Sequence, residues 1–172
     1  MIAPDTKDWT WVLDRACPDC GFDTQSFPRT AVPALLRTNA AAWHEVLTGQ
    51  RDPRLRPNPD VWSPLEYACH VRDVCRIFLE RLNLMLTQDN PHYPNWDQDK
   101  TAVDERYSEQ DPRSVAAELS AAADSLAGAF STVTGQQWLR PGSRSDGAHF
   151  TVETFARYFL HDPVHHLHDV TA

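Results

Sequence analysis

The sequence predicts an all-α protein, a four-helix bundle with an irregular N-terminal arm. Four segments repeat apolar residues at helical spacing, and two of them open with a clear helix-start signal. No segment shows a convincing alternation of apolar and polar residues typical of a half-buried strand. The predicted helices cover residues 32–49, 63–87, 111–133 and 151–170. We therefore expect an arm of residues 1–31 and a bundle of residues 32–172.

Composition limits the class of protein. The chain has 172 residues, of which 41% are hydrophobic, and this is enough for one domain with a real core. The net charge of −8 and the lack of a basic stripe argue against nucleic acid as a partner. The sequence contains no run of about 18 apolar residues, so no membrane span is predicted. The stretch that starts at Met1 lacks a secretory signal pattern, so a cytoplasmic location is expected.

The helix-start signals are clearest in the second and third segments. Ser63 can serve as an N-cap, Pro64 fits the first helical position, and Glu66 completes a capping box. Asp111 followed by Pro112 repeats the cap and the first-turn proline. Both segments are therefore expected to be helices that start at these residues.

The last predicted helix carries half of the histidines in the chain, namely His161, His165, His166 and His168. At about 100° per residue, His161, His165 and His168 share one face, below Tyr158. His166 falls on the other side of the helix, with the aromatic residues. An i, i+4 histidine pair places two nitrogens within reach of one metal ion. The alternative is that histidines favour a helix C-terminus, where a cation meets the helix dipole.

Pro163 lies between His161 and His165 and removes one backbone hydrogen bond. It is expected to kink the helix there, or to end it early. An early end would weaken the argument from helical spacing.

His70 is the candidate third ligand. It lies near the start of the second helix, on the shoulder of the apolar face, where a structural role is the alternative. If the second and fourth helices run antiparallel side by side, His70 can meet His161 and His165. Three protein ligands leave one position open, as in catalytic metal sites. His168, one turn further along, is expected to be a catalytic base, a residue supporting a ligand, or an alternative ligand.

The long connection over residues 88–110 is expected to be either a loop that closes over the site or a crossover wrapping the bundle. It carries Trp96 and Asp97. Together with Tyr67 and Tyr158, these residues are the predicted substrate-binding set.

The N-terminal arm contains Cys17-Pro-Asp-Cys20-Gly21, which resembles half of a zinc knuckle. The second CxxC of a zinc ribbon is absent, and nothing here forms the βαβ unit of a redox CxxC. A tight turn, a local disulfide and a structural metal site remain open alternatives.

The chain resembles the DinB/YfiT-like superfamily over residues 32–170. The resemblance is carried by Trp62-Ser-Pro-Leu-Glu66, with His70 four residues further on, and by His161-x3-His165. It implies an up-down-down-up bundle and a divalent metal held by His70, His161 and His165. Zinc is the first choice for this metal, with nickel or iron as alternatives, and a homodimer is expected.

The superfamily includes mycothiol-dependent maleylpyruvate isomerase and the bacillithiol and mycothiol S-transferases. The resemblance therefore implies a thiol S-transferase or isomerase that uses mycothiol and an electrophilic small molecule. The alternatives are a metal-dependent hydrolase, a non-catalytic metal- or ligand-binding stress-response module, and a structural bundle whose histidines do not meet.

The resemblance has departures on the last helix. Many members carry His-x2-His-His, with the second histidine of the pair as ligand, and Val164 takes the place of the first. His168 stands where many members have Gln. In the isomerase branch a Glu replaces one histidine of this helix, at the position assigned to His161. These differences leave the substrate open.

Overall fold

Five α-helices and a small sheet form the part of the chain that the computed structural model describes, residue 2 and residues 7–172. Residues 1 and 3–6 lie outside the described residues. They belong to the predicted arm and to the N-terminal stretch that lacks a secretory signal pattern. The helices are α1 Val32–Thr48, α2 Pro64–Thr87, α3 Gln98–Asp104, α4 Pro112–Ser131 and α5 Val152–Thr171. The strands are β1 His92–Tyr93, β2 Pro141–Arg144 and β3 His149–Thr151.

The four long helices, α1, α2, α4 and α5, correspond to the four predicted segments, and the all-α four-helix bundle is confirmed. The capping box at the start of α2 is present as predicted. The Glu66 backbone N–H donates to Ser63 Oγ at 3.3 Å, and the Ser63 N–H donates to Glu66 Oε2 at 2.8 Å. These bonds satisfy donors that the helix itself leaves unpaired, and so they fix where α2 begins.

Contacts along the helices give their directions. On α2 and α5, His70 lies beside Asp162 while Phe78 stacks on Phe155, so the residue numbers run in opposite senses and these helices are antiparallel. The N-terminal end of α1 and that of α5 lie together, since Arg29 pairs with Glu153 just before α1 begins. Further along, α1 contacts the later part of α5, so α1 and α5 are parallel.

α4 runs parallel to α2. Gln110, just before α4, accepts a hydrogen bond from Arg72 at 2.7 Å, and Glu118, two turns into α4, contacts Arg76 at 3.4 Å. Residue numbers therefore rise together on the two helices. The bundle is up-down-down-up, and this order places the start of α2 next to the second half of α5.

The three strands form one small sheet in the order β1-β2-β3. β1 pairs with β2 in parallel, and β2 pairs with β3 as an antiparallel hairpin. No convincing strand pattern is present in the sequence, so the sheet was not predicted. The strands are two to four residues long, and so are too short to show a period of two.

The connection between α2 and α4 is not structureless. Asp97 caps the short helix α3 by accepting from the Lys100 backbone N–H at 2.9 Å. Further on, Tyr107 is buried and donates its hydroxyl to Asp73 of α2 at 2.6 Å. This contact holds the connection against the first half of α2. α4 therefore begins at the same end of the bundle as α2.

The described part of the N-terminal arm lies on α5. It contains two short 3₁₀ segments, Thr10–Leu13 and Arg29–Ala31. Arg157 of α5 donates to the backbone carbonyls of Thr24 and Phe27. A buried guanidinium thus ties an irregular segment to a helix, satisfying carbonyls that have no secondary-structure partner.

Pro163 does not end α5, which continues to Thr171. The Pro163 carbonyl accepts from the Asn39 side chain at 3.1 Å and from the Trp43 indole at 3.2 Å. Two donors from α1 therefore hold α5 at this proline. The i, i+4 spacing on either side of it is preserved.

Within residue 2 and residues 7–172, no helix combines the length and apolar character needed to span a membrane.

Candidate metal centre

α5 carries two interleaved pairs of metal-ligand residues. His161 and His165 form one pair at spacing i, i+4, and Asp162 and His166 form the other. Adjacent helical residues point about 100° apart, so the two pairs face different neighbours. The first pair faces the N-terminal arm, and the second faces α2.

The structure divides the predicted trio of His70, His161 and His165. His70 lies with Asp162 and His166, whereas His161 and His165 lie with two cysteines of the arm. The aromatic stripe of α5 explains the division, because Phe155 and Phe159 pack on Phe78 of α2 at ring distances of 4.5 and 5.0 Å. Extending that stripe by one and two turns leads to Asp162 and His166.

Asp162 and His166 are not among the ligands predicted from the sequence. Two signals in the sequence indicate them. Asp162-x3-His166 has the same helical spacing as His161-x3-His165. The His-x2-His-His pattern, shifted by one residue, reads Asp162-x2-His165-His166, with a carboxylate in place of the first histidine.

We call His70, Asp162 and His166 the cleft cluster. His70 Nε2 lies 3.3 Å from Asp162 Oδ2, and His166 Nε2 lies 3.8 Å from the same oxygen. One ligand atom from each residue falls within 4.8 Å of the others. The cluster thus converges on one carboxylate oxygen flanked by two imidazoles.

Asp162 is held in its ionised form. Burial by itself raises the pKa of its carboxyl, but His70 and then His166 lower it more strongly, to about 2. At neutral pH the cleft cluster therefore presents a carboxylate, the form that binds a cation.

Aromatic side chains fix both imidazoles. Trp96 stacks on His70 with ring centroids 5.3 Å apart, and Trp62 packs on the same ring at 5.6 Å. Tyr67 lies 4.8 Å from the His166 ring. These contacts leave few orientations for the rings, and a pre-oriented ligand set loses little entropy when it binds a cation.

The cleft cluster fits a divalent cation. His70 Nδ1 and Asp162 Oδ1 are buried, and neither has a hydrogen-bond partner among the described residues. A buried polar atom without a partner costs about 1–3 kcal/mol, which points to a bound species. Two imidazoles and one carboxylate are a donor set of catalytic zinc sites and of non-haem iron sites.

We call Cys17, Cys20, His161 and His165 the arm cluster. Cys17 Sγ lies 3.6 Å from His165 Nδ1, and Cys20 Sγ lies 3.8 Å from His161 Nε2. Neither cysteine is in a disulfide. Burial raises the pKa of Cys20 to about 11, and burial followed by the charge of His165 lowers the pKa of His161 to about 4. His161 is therefore a neutral imidazole at neutral pH.

The cleft cluster opens into a cleft of about 990 Å³. Three of the predicted substrate-binding residues, Trp96, Asp97 and Tyr158, line this cleft. The fourth, Tyr67, lines a neighbouring cavity of about 290 Å³. His168, the predicted catalytic residue, is exposed and lines neither of these two cavities.

A buried arginine also faces the cleft. Arg81 is 7% exposed and donates to the Pro94 carbonyl at 2.8 Å. Among the described residues it has no carboxylate partner, and the neighbouring Arg144 and Asp146 pair with each other at 2.9 Å. The sequence around Arg81 does not distinguish it from an ordinary solvated charge of α2.

Comparisons with known proteins agree with this fold. A family model described as the DinB superfamily matches residues 34–170. Among solved structures, YfiT from Bacillus subtilis matches with a TM-score of 0.74 and 19% identity, covering 84% of this chain and 86% of that chain. YfiT is described as a probable metal-dependent hydrolase with an unusual four-helix bundle topology. No curated protein matches the sequence.

Proposed function

Because the chain belongs to the DinB superfamily, we propose that it is a metal-dependent enzyme whose cation is held by His70, Asp162 and His166. The observation that carries this proposal is the convergence of two buried or half-buried imidazoles and one ionised carboxylate at the wall of a large cleft. Three protein ligands leave positions for a small molecule, which separates a catalytic from a structural site.

A divalent cation held by His70, Asp162 and His166 would act as a Lewis acid and would lower the pKa of a coordinated water or thiol. The chain supplies the orientation. Asp169 accepts from His166 Nδ1 at 3.1 Å, which leaves Nε2 of that ring as the atom directed towards Asp162. Trp96 lines the cleft and stacks on His70, so it shields one face of that ring from water.

Arg81 offers a binding point for a negatively charged group of the substrate. Arg81 presents a cation without a carboxylate partner, and Arg144 adds a second guanidinium that also donates to Tyr158 at 3.2 Å. A carboxylate or phosphate group of a small molecule would satisfy the Arg81 donors with charge-assisted hydrogen bonds. We therefore place the anionic end of the substrate near Arg81.

Hydrolysis is the first candidate reaction. A site with two histidines and one carboxylate is used by zinc enzymes that activate water, and the structurally similar YfiT is described as a probable metal-dependent hydrolase. In this reaction a small anionic ester or amide lies in the cleft, and water is the nucleophile.

Thiol transfer is the second candidate, and the size of the cleft favours it. A volume of about 990 Å³ is at the upper end for ligand sites and leaves room for a low-molecular-weight thiol beside an electrophilic substrate. The resemblance noted above suggests mycothiol as that thiol. In this reaction the thiol sulfur would form a bond to the electrophilic carbon of the substrate and displace a leaving group, which would take up the thiol proton.

Metal content and turnover, measured together, test the proposal. Protein without a polyhistidine tag is compared with His166→Ala and with His44→Ala, a control on the exposed face of α1. We expect His166→Ala to lose one metal per chain and all turnover, and His44→Ala to keep both. A metal content in His166→Ala equal to that of the unmodified protein would refute the assigned ligands.

A substrate panel separates the two reactions. The panel contains small carboxylate-bearing esters and amides, and electrophiles with and without mycothiol. Metal-dependent acid release without thiol supports hydrolysis, and metal-dependent thiol consumption supports transfer. Full metal occupancy without either activity would contradict the enzyme proposal and leave the non-catalytic binding module.

A further inference from the structure

Four soft metal ligands meet at a second place, outside the cleft cluster. Cys17 and Cys20 come from the arm, His161 and His165 come from α5, and one ligand atom from each lies within 4.8 Å of the others. We propose that these four residues form a second metal site, a closed tetrahedral zinc site that fastens the N-terminal arm to α5.

The distances within the arm cluster match tetrahedral zinc. With Zn–S and Zn–N bonds of about 2.3 and 2.0–2.1 Å, a tetrahedral angle places S and N about 3.5–3.6 Å apart. Cys17 Sγ and His165 Nδ1 are 3.6 Å apart, and Cys20 Sγ and His161 Nε2 are 3.8 Å apart. Both pairs therefore sit close to the separation that a shared ion would impose.

The local backbone directs both sulfurs to the same side. The Gly21 N–H donates to the Cys17 carbonyl at 2.8 Å, and the Cys17 N–H donates to the Phe22 carbonyl at 2.9 Å. Gly21 has φ +73°, a conformation that other residues rarely adopt. The result is a tight turn over Cys17-x2-Cys20, and with His161-x3-His165 it completes a recognised zinc-ligand spacing.

Protein atoms surround most of the arm cluster. Cys17 is 1% exposed and His161 is 4% exposed, whereas Cys20 and His165 are half-buried, and both histidines also line the cleft. Trp9 packs against both imidazoles, with ring centroids 5.4 Å from His161 and 5.1 Å from His165. Four protein ligands leave no position for a substrate, which is the mark of a structural rather than a catalytic zinc site.

The ligand set also has outer support. His165 directs Nδ1 to Cys17 and Nε2 towards Asp169, whose Oδ2 is 3.7 Å away. A carboxylate behind a ligating imidazole is the usual arrangement at zinc sites, because it holds the ring and raises its basicity. His165 is thus oriented as a ligand and not only as a packing residue.

The arm contains little regular structure that could hold it against α5. Its described part has only two short 3₁₀ segments, and a segment without a core of its own gains folding free energy from a bound metal. The same segment forms one wall of the cleft through Lys7, Asp8, Trp9 and Thr10. A zinc ion held by the four protein ligands of the arm cluster would therefore hold a wall of the cleft in place.

Cobalt substitution tests the site directly. Untagged full-length protein is stripped with a chelator and loaded with Co²⁺. We expect a thiolate-to-cobalt charge-transfer band in wild type and in Cys75→Ala, whose cysteine lies buried in the core. The Cys17→Ser/Cys20→Ser variant should lose that band and one metal per chain. No band in wild type, or an unchanged band in the double variant, would overturn the proposal.

Alkylation of the native chain tests the site without relying on a cysteine variant. Iodoacetamide is applied to zinc-loaded and chelator-treated protein, and labelled peptides are measured by mass spectrometry. We expect Cys17 and Cys20 to be labelled only after chelation, with the buried Cys69 and Cys75 as references. The protection should persist in His70→Ala, which makes it independent of the cleft cluster. Equal labelling with and without chelator would refute a zinc site here.

Discussion

Asp169 accepts a hydrogen bond from Nδ1 of His166 at 3.1 Å. The same Asp169 oxygen lies 3.7 Å from Nε2 of His165. His165 belongs to the arm cluster and His166 to the cleft cluster, so one carboxylate at the end of α5 orients a ring in each.

Replacing this carboxylate should weaken metal binding. Asp169→Asn keeps the shape but removes the charge that fixes the His166 tautomer, and such a loss typically costs about 10–100-fold in metal affinity. Zinc affinity measured by chelator competition checks this. Asp124→Asn, which affects an exposed ion pair with Arg37, is the control. Equal affinities in the two variants would show that Asp169 does not support the ligands.

Arg81 should govern substrate binding. In Arg81→Met the cation that faces the cleft is lost, and a hydrogen bond to a charged group contributes about 1.5–3 kcal/mol, or roughly 10–100-fold in KM. We expect KM for carboxylate-bearing substrates to rise while the metal content stays constant. Steady-state kinetics with anionic and neutral substrate analogues provides the measurement. An equal change for both analogues would argue against charge recognition.

Acid should destabilise the Asp73–Tyr107 anchor. Burial raises the pKa of Asp73, but Arg72 and the Tyr107 hydroxyl lower it more strongly, so the folded pKa lies below the ordinary 3.8. The stabilisation is complete above the pKa of the unfolded chain and is lost as pH falls through the folded pKa. Urea unfolding between about pH 5 and pH 2 should show a steeper loss in wild type than in Asp73→Asn. Parallel curves would contradict the assigned anchor.

The aromatic stripe of α5 should carry much of the stability. Phe155 is 1% exposed and stacks on Phe78, so Phe155→Ala is expected to cost about 3–5 kcal/mol. Leu139→Ala removes an exposed side chain and should change stability by about 0.5 kcal/mol or less. Free energies of unfolding from urea titration compare the two. A small loss in Phe155→Ala would show that α5 does not depend on this stripe.

The helices were predictable because their signals are local. The capping box of Ser63 and Glu66 and the periodic apolar stripes lie within single segments, and the structure contains both. The sheet was not predictable in this way, because β1 pairs with β2 across about 50 residues and has only two residues. A pairing so short and so distant leaves no pattern in either segment.

The candidate site was predictable by region and not by residue. Its location at the start of α2 and the later part of α5 followed from the histidines. The histidines do not decide whether His161 or Asp162 faces α2, because that depends on how α5 is rotated about its own axis. The packing of Phe155 and Phe159 decides that orientation. The arm cluster required the tertiary position of Cys17 and Cys20, which no local pattern contains.

The two interleaved pairs on α5 differ in how they respond to sequence change. A substitution at His161 or Asp162 affects one cluster and leaves the other intact. An insertion or deletion of one residue between Asp162 and His165 rotates His165 and His166 by about 100° relative to His161 and Asp162. Such a change breaks both clusters at once. The length of the segment 161–166 is therefore under a double constraint, whereas the identity of each of its ligands can vary separately.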